Sequence, residues 1–382
     1  MPRRPTGCPR RRRGKKPKLE ETPVQGDPAP PVYMLLGHGS VRPAYSVFKV
    51  DPYANGGRKA RLLARLECKH SKSFVSVRSK HCAWIVGVGG SSTKSSYGAE
   101  TIIFDADTHK VITGPDPGST KRNPVLLTVG QRVYALARCP SVNGRPDNAY
   151  DGRINFCPWF EVLDLSQAEV VDGSLTGCEW KALPTPPFFP WGLNPYQYIR
   201  PTMRDFTVKS YAAVGSYILV SVAGHPGIHA FDTDKELWTT LDATNTLPFS
   251  QGAIPHGSDL FLGVSRATGA ITAYKISVVA GVALAIMEIP VLSALPGDEE
   301  VMTTNKFLSL GIDRGFCSVN SWSVDESWDP PYLRANIKVI AYGTEDFEGT
   351  CLDVSKRWKQ LFKIHDPVRT LDSPCVAAVF SL

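Results

Sequence analysis

From residue 32 onward, apolar residues fall in short runs, many alternating with polar ones, and Gly, Asp, Asn and Pro stand between the runs. Alternation with a period of two puts every second side chain on one face of an extended chain, so the pattern predicts short β-strands joined by turns. The clearest unit comprises residues 211–214, a tight turn at Gly215-Ser216, and residues 217–222, 228–231 and 237–241. Four antiparallel strands in so short a span make one blade of a β-propeller, with the first strand innermost.

The same template repeats along the chain. It predicts one unit at 74–77, 83–88, 101–104 and 111–113, and the next at 125–129, 133–137, 160–165 and 180–183. Two more follow the clearest unit, at 252–256, 260–264, 270–276 and 286–291, then at 307–312, 316–320, 336–342 and 356–364. Three copies of Trp-x-x-Leu, beginning at Trp180, Trp238 and Trp358, mark outer strands. Such a repeat arises because each unit cannot bury its apolar face alone. Three strands near the N-terminus, 32–36, 45–50 and 61–66, lack an innermost partner, and one strand at 376–380 stands alone at the C-terminus. Together they complete a unit. The expected architecture is therefore all-β: a six-bladed propeller over residues 32–382, closed by pairing the C-terminal strand with the three N-terminal strands, behind a disordered tail over residues 1–31.

These features resemble a kelch-type propeller: apolar run, glycine-containing turn, second apolar run, third strand ending in Asp, then Trp-x-x-Leu. The similarity spans residues 32–382 and is to the kelch-like proteins of plants, including grass families grouped with F-box proteins; the double glycine of the motif occurs at Gly89-Gly90. The resemblance implies a binding scaffold. F-box relatives also carry a helical module that docks on a ubiquitin-ligase scaffold, but residues 1–31 lack its apolar periodicity, so the ligase-receptor role is expected only if such a module lies upstream.

Charge modifies this picture at one end only. The formal net charge is +7, yet residues 1–18 hold nine Lys and Arg and no acid, which leaves the rest of the chain nearly neutral. The cluster Arg10, Arg11, Arg12, Arg13, Lys15, Lys16 and Lys18 has the composition of a nuclear import signal, with an import receptor as its partner. A solvated tail without a receptor, or a plastid transit peptide, are the alternatives; scarce serine and many prolines weigh against the latter. Nucleic acid is expected to bind only weakly and through the tail. Nucleus or cytoplasm is the expected location. The longest apolar stretch, 276–292, is broken by Glu288 and Pro290, so no membrane span is expected. The nine cysteines lack Cys-x-x-Cys spacing and read as packed thiols.

In a propeller blade, the loops joining strands two to three and four to the next unit emerge on one face. Those are the long ones here, at 139–158, 184–209 and 321–335, and insertions on one face mark a binding face. They carry Trp159, Phe188, Phe189, Trp191, Tyr196, Tyr198, Trp322, Trp328 and Tyr332. Aromatic side chains suit docking of a protein or peptide, since they offer large area at low rotamer cost. The alternative is that they fold back and cap the propeller core.

Catalytic signatures are absent from the sequence: no His-Glu-x-x-His, no Gly-x-Ser-x-Gly, no phosphate loop. The nearest approach is Glu100, Asp105 and His109. Plant kelch specifier proteins hold iron with a similar set, but their Glu and Asp are four residues apart, whereas five separate them here and turn the two to opposite faces of a strand. Asp105 instead matches Asp232, at a turn where a carboxylate bonds local backbone. His38, His225 and His256 lie beside loops or the channel wall, and His256 reads as a wall residue. The expected function is a non-catalytic interaction module without metal or cofactor; a metal-dependent propeller lyase or oxidase is the rival.

Overall fold

The structure is a computed structural model that describes residues 31–38, 43–50, 60–78, 82–93, 96–139, 142–143, 155–189, 206–279, 283–293, 306–323, 334–347, 351–365 and 375–382. All regular secondary structure among them is β, apart from a single residue of 3-10 turn. None of these residues forms a helix long and apolar enough to cross a membrane.

The N-terminal sheet runs in the order Cys375–Ser381, Val32–His38, Ala44–Val50 and Arg61–Glu67, so the last strand of the chain pairs antiparallel with the first. The second sheet contains Ser73–Arg78, Ala83–Thr93, Ser96–Asp105 and Val111–Thr113. The third contains Val125–Val129, Arg132–Leu136, Phe160–Asp164 and Trp180–Ala182. Two four-strand meanders then fuse into one sheet. The first is Val208–Val214, Tyr217–Val222, Ile228–Asp232 and Leu237–Asp242, and the second is Phe249–Pro255, Leu260–Ser265, Ile271–Val279 and Ala283–Ile289. They join by parallel pairing of their first strands, Ser210 with Gln251 and Tyr211 with Gly252. The last sheet holds Lys306–Ser309, Phe316–Ser323, Arg334–Phe347 and Leu352–His365, and Val291–Ser293 joins it by parallel pairing with Leu352–His365.

Alternation explains how these sheets pack. Val32, Met34 and Leu36 face the last sheet, in one apolar cluster with Val319, Ile337 and Val339. Their neighbours Tyr33 and Leu35 face the second sheet, beside Ile85 and Phe104. Further clusters join the second sheet to the third through Val86 and Leu163, and the third to the first meander through Phe160 and Phe231. Two more join the meanders through Leu219 and Phe261, and the second meander to the last sheet through Leu262 and Ile340. Every sheet thus buries both faces, each large aliphatic side chain contributing roughly 1.5–3 kcal/mol. The first-to-second turns at Gly130-Gln131 and Gly215-Ser216 place glycine at positive φ, 59° and 58°, as a two-residue hairpin turn demands.

Three elements differ from the sequence expectation. Residues 139–158 contain a two-stranded ribbon, Val142–Asn143 with Asn155–Phe156. A hairpin at Glu169–Val171 and Ser174–Thr176 leaves the third unit and extends the second sheet, Ser174 pairing parallel with Thr113. The loop expected at 321–335 is strand at both ends: Trp322 pairs with Asn336 and Ser323 with Ala335. Ladder pairing between Arg334–Phe347 and Leu352–His365 accounts for that extension, because it satisfies backbone groups that a loop would leave to water. Bulges at Ala341/Tyr342 and Thr344/Asp346 absorb the mismatch over its length.

Candidate functional site

At one end of the sheets lie the tight turns. Asp105 Oδ1 accepts the backbone N–H of Asp107 and Thr108 at 2.9 and 3.2 Å, and Asp232 Oδ1 does the same for Asp234 and Lys235 at 3.0 Å each. Four residues beyond each aspartate the chain turns left-handed, at His109 with φ 59° and Glu236 with φ 54°. His109 therefore closes a turn, with its ring stacked against Phe104 at 6.4 Å. Glu100, the third member of the iron-like set, is held by Lys72 Nζ at 2.6 Å and the Lys69 N–H at 3.1 Å. All three side chains are occupied by local structure. No cluster of metal-ligating residues occurs among the described residues.

The opposite end is where chains enter each first strand, and it holds two Lys–Glu pairs with buried lysines in equivalent places. Lys72 precedes strand Ser73–Arg78 and meets Glu100; Lys121 precedes strand Val125–Val129 and meets Glu161, with both side chains of the second pair at most 1% exposed. Glu161 also accepts the Gly118 N–H at 2.7 Å, and Lys121 Nζ donates to Ser119 Oγ at 2.7 Å and the Pro158 carbonyl at 3.2 Å. Burial pulls the Lys121 pKa down to about 7. These pairs fix the loop ends that support this face.

A cavity of about 670 Å³ opens on the same end. Its walls are the entry to the first meander at Thr207–Ser210, the second-to-third loop around Gly224 and His225, and the entry to the second meander at Thr246, Ser250 and Gln251. Arg138 and Arg266 complete it. Gln251 lines this cavity at φ 61°, unusual for a residue with a Cβ, inside an irregular stretch of the pairing between Ser250 and Ile254. Arg138 donates to the carbonyls of Asn123 and Val208 at 2.9 and 3.4 Å and lies 5.9 Å from the centre of the Tyr211 ring. Burial lowers the pKa of Lys306, on the first strand of the last sheet, and the nearby Arg138 cation pushes the same way. A smaller hollow of about 420 Å³ at the tight-turn end is lined by Gly130, Arg132, Asp164 and Thr233 among others.

The nine aromatic residues expected to face a partner divide. Trp159, Phe188 and Phe189 are 4%, 9% and 5% exposed and form one edge-to-face cluster, with ring centres 5.5 and 5.0 Å from Trp159. They cap the core between the third sheet and the first meander, because the chain after Trp180–Ala182 folds back over it. Trp322 is a paired strand residue. Trp191, Tyr196, Tyr198, Trp328 and Tyr332 lie outside the described residues, as does the basic cluster Arg10, Arg11, Arg12, Arg13, Lys15, Lys16 and Lys18. His256 is 2% exposed, its Nδ1 is 2.8 Å from Ser309 Oγ, and burial lowers its pKa to about 4. The burial of Cys68 and Cys317 pushes both thiols up to about 12, which leaves them unreactive.

The Trp repeat has a structural purpose in two of its three copies. Trp180 Nε1 donates to the Pro115 carbonyl at 3.0 Å, and Trp238 Nε1 to the Pro184 carbonyl at 3.0 Å. Each acceptor lies two residues past the outer strand of the preceding unit, so each indole staples one unit to the one before. Trp358 instead packs toward the N-terminal sheet, in the cluster containing Val32 and Phe48.

A family model described as "Protein of unknown function (DUF1668)" matches residues 29–353, most of the chain. This chain belongs to that family. Among solved structures it is similar to the periplasmic gluconolactonase PpgL of Pseudomonas aeruginosa, at 12% identity over 86% of this chain and 83% of that one, with a TM-score of 0.40. No curated protein matches the sequence. The family match ends within the last sheet, so it covers the cavity and both Lys–Glu pairs.

Sequence reasoning missed Arg138 and Arg266, which follow no periodic pattern, and Lys209, which it placed in the expected loop 184–209 although it is the exposed position of an alternating strand. Glu161 did leave a signal, an acid set between apolar neighbours in strand Phe160–Asp164.

Proposed function

We propose that this chain is a non-catalytic interaction module, a six-bladed kelch-like propeller that receives a protein or peptide partner on the long-loop face. Support for the ring comes from its first strands, which neighbour one another in cyclic order: Ser73–Arg78, Val125–Val129, Val208–Val214, Phe249–Pro255, Lys306–Ser309, Cys375–Ser381 and back to the start. The observation that carries the functional reading is the cavity of about 670 Å³, which opens between loops of that face and falls within the usual size of ligand sites. The expected aromatic contacts are Trp191, Tyr196, Tyr198, Trp328 and Tyr332; Trp159, Phe188 and Phe189 pack into the core between the third sheet and the first meander.

The test is affinity capture with the full chain and with forms whose segments 190–205 and 324–333 are replaced by short Gly-Ser links. A partner retained by the intact chain and lost with the shortened loops is the expected result. Retention by both forms defeats the reading. The rival metal-dependent enzyme is tested by metal analysis of the purified protein, where a stoichiometric transition metal overturns the non-catalytic reading. The basic tail is read as a nuclear import signal for an import receptor. Replacing Arg10, Arg11, Arg12, Arg13, Lys15, Lys16 and Lys18 by Gln in a fluorescent fusion is expected to abolish nuclear accumulation, and an unchanged distribution refutes it.

A further inference from the structure

The lining of the larger cavity has a composition that its volume alone does not convey. Among the described residues it contains Arg138, Lys209, His225 and Arg266 and no Asp or Glu. The two arginines donate only to neutral oxygens: Arg138 to two backbone carbonyls, and Arg266 Nη1 to Thr246 Oγ1 at 2.7 Å and the Leu247 carbonyl at 3.5 Å. No ion pair of Arg138, Lys209 or Arg266 occurs among the described residues. Elsewhere on the molecule cations do meet acids. Arg132 pairs with Asp164, Lys181 with Glu236 and Lys275 with Asp259, all on exposed surface. Outside residues 1–18 the chain is almost neutral, so three unpaired cations converging on one concavity are a local feature.

We propose that this cavity is a recognition site for a phosphate monoester, held between Arg138, Lys209 and Arg266. Guanidinium groups match phosphate oxygens in a two-pronged fashion, and a site of three positive charges favours a dianion over a single carboxylate, which leaves most of that charge uncompensated. Arg138 is preorganised, because two carbonyls and the face of Tyr211 hold it. Lys209 is exposed and free to swing over the ligand. Gln251, turned left-handed on the wall, offers an amide donor at a position where a regular strand would not place one. This inference rests on the reading of the long-loop face as the binding face and adds the chemistry of what it binds.

The test measures binding to the full-length chain of a phosphoserine heptapeptide, its unphosphorylated twin and a simple sugar phosphate, by calorimetry at low and at physiological salt. Arg266→Glu is expected to weaken phosphopeptide binding about tenfold or more, and Lys209→Gln about threefold. Lys235→Gln, at the opposite end, is expected to leave it unchanged. Because Arg266 also bonds Thr246 and Leu247, unfolding midpoints are compared in parallel, and Lys209→Gln serves as the variant with no such bonds. A peptide bound tenfold more tightly than the sugar phosphate assigns the group to a protein partner; comparable affinities assign it to a small metabolite, and both support the proposal. It is overturned if neither phosphorylated probe binds, if the unphosphorylated peptide binds as well, if Lys235→Gln weakens binding as much as Arg266→Glu, or if neutralising Arg10, Arg11, Arg12 and Arg13 removes all binding. Loss of phosphate recognition with loop-dependent partner capture intact refutes this inference alone and leaves the interaction module standing.

Discussion

Strand Phe160–Asp164 carries an acid near each end, and the two have opposite fates. Glu161 meets Lys121 in the interior, with both side chains almost fully covered, whereas Asp164 meets Arg132 at 3.0 Å with both close to half exposed. The buried pair sits under the long-loop face and is reinforced by Gly118, Ser119 and the Pro158 carbonyl; the exposed pair borders the smaller hollow among tight turns. One face thus uses charge inside the protein to hold loop ends in place and leaves other cations unpaired in its cavity. The other face pairs its charges at the surface, where water screens them. The proposed binding face is thus the one that holds its loop ends by buried charge and keeps cations uncompensated in its cavity.

The comparison breaks most visibly at the buried pair. Lys121→Ala strands the Glu161 carboxylate in the interior and is expected to lower unfolding free energy by about 3–5 kcal/mol, while Asp164→Ala costs at most about 1 kcal/mol in the same denaturant titration. Similar losses for the two variants would remove the distinction.

His256 extends the contrast to pH. Its folded pKa of about 4 lies below the 6.5 of an unfolded histidine, so the unfolded chain takes up the proton first as pH falls. The stability is complete above about pH 6.5 and declines by about 3 kcal/mol on approach to pH 4. Denaturant titrations across that range are expected to show this acid limb, and His256→Gln is expected to flatten it; an unaltered limb contradicts the assignment.

Smaller effects test the joints between units. Trp180→Phe and Trp238→Phe each remove one indole donor and are expected to cost about 1 kcal/mol in unfolding free energy. His109→Gly, at a left-handed turn position on the tight-turn face, is expected to stabilise by about 0.5–1 kcal/mol. Destabilisation of the same size in that titration contradicts the turn-closing role given to His109.

Much of the fold was legible in residue order. Alternation located residues 211–214 as a strand with one buried face, whereas the strand begins at Val208, inside the expected loop 184–209. The pairing of the C-terminal strand with the first followed from counting units. The hairpin at Glu169–Thr176 was legible too and overlooked: Asp172-Gly173, at φ 49° and 77°, is the dipeptide that a two-residue turn of this hand prefers. Its parallel docking on Thr113 was not legible, since a single pairing between units leaves no periodic trace. The site was harder to read. Aromatic residues in a loop look alike whether they cap a core or await a partner, and only packing separated Trp159, Phe188 and Phe189 from that role. Arg138 and Arg266 come from two separate connections and Lys209 from the start of strand Val208–Val214, and nothing in their order foretells that they meet.

The most direct test of the difference between the faces is an amide-resolved NMR titration of the full-length chain with inorganic phosphate. Shifts confined to Thr207–Ser210, Gly224, His225, Ser250 and Gln251, with Gly130–Arg132 and Thr233–Asp234 unmoved, are the expected result. Equal shifts at both ends of the molecule, or shifts in residues 1–18 alone, contradict the account.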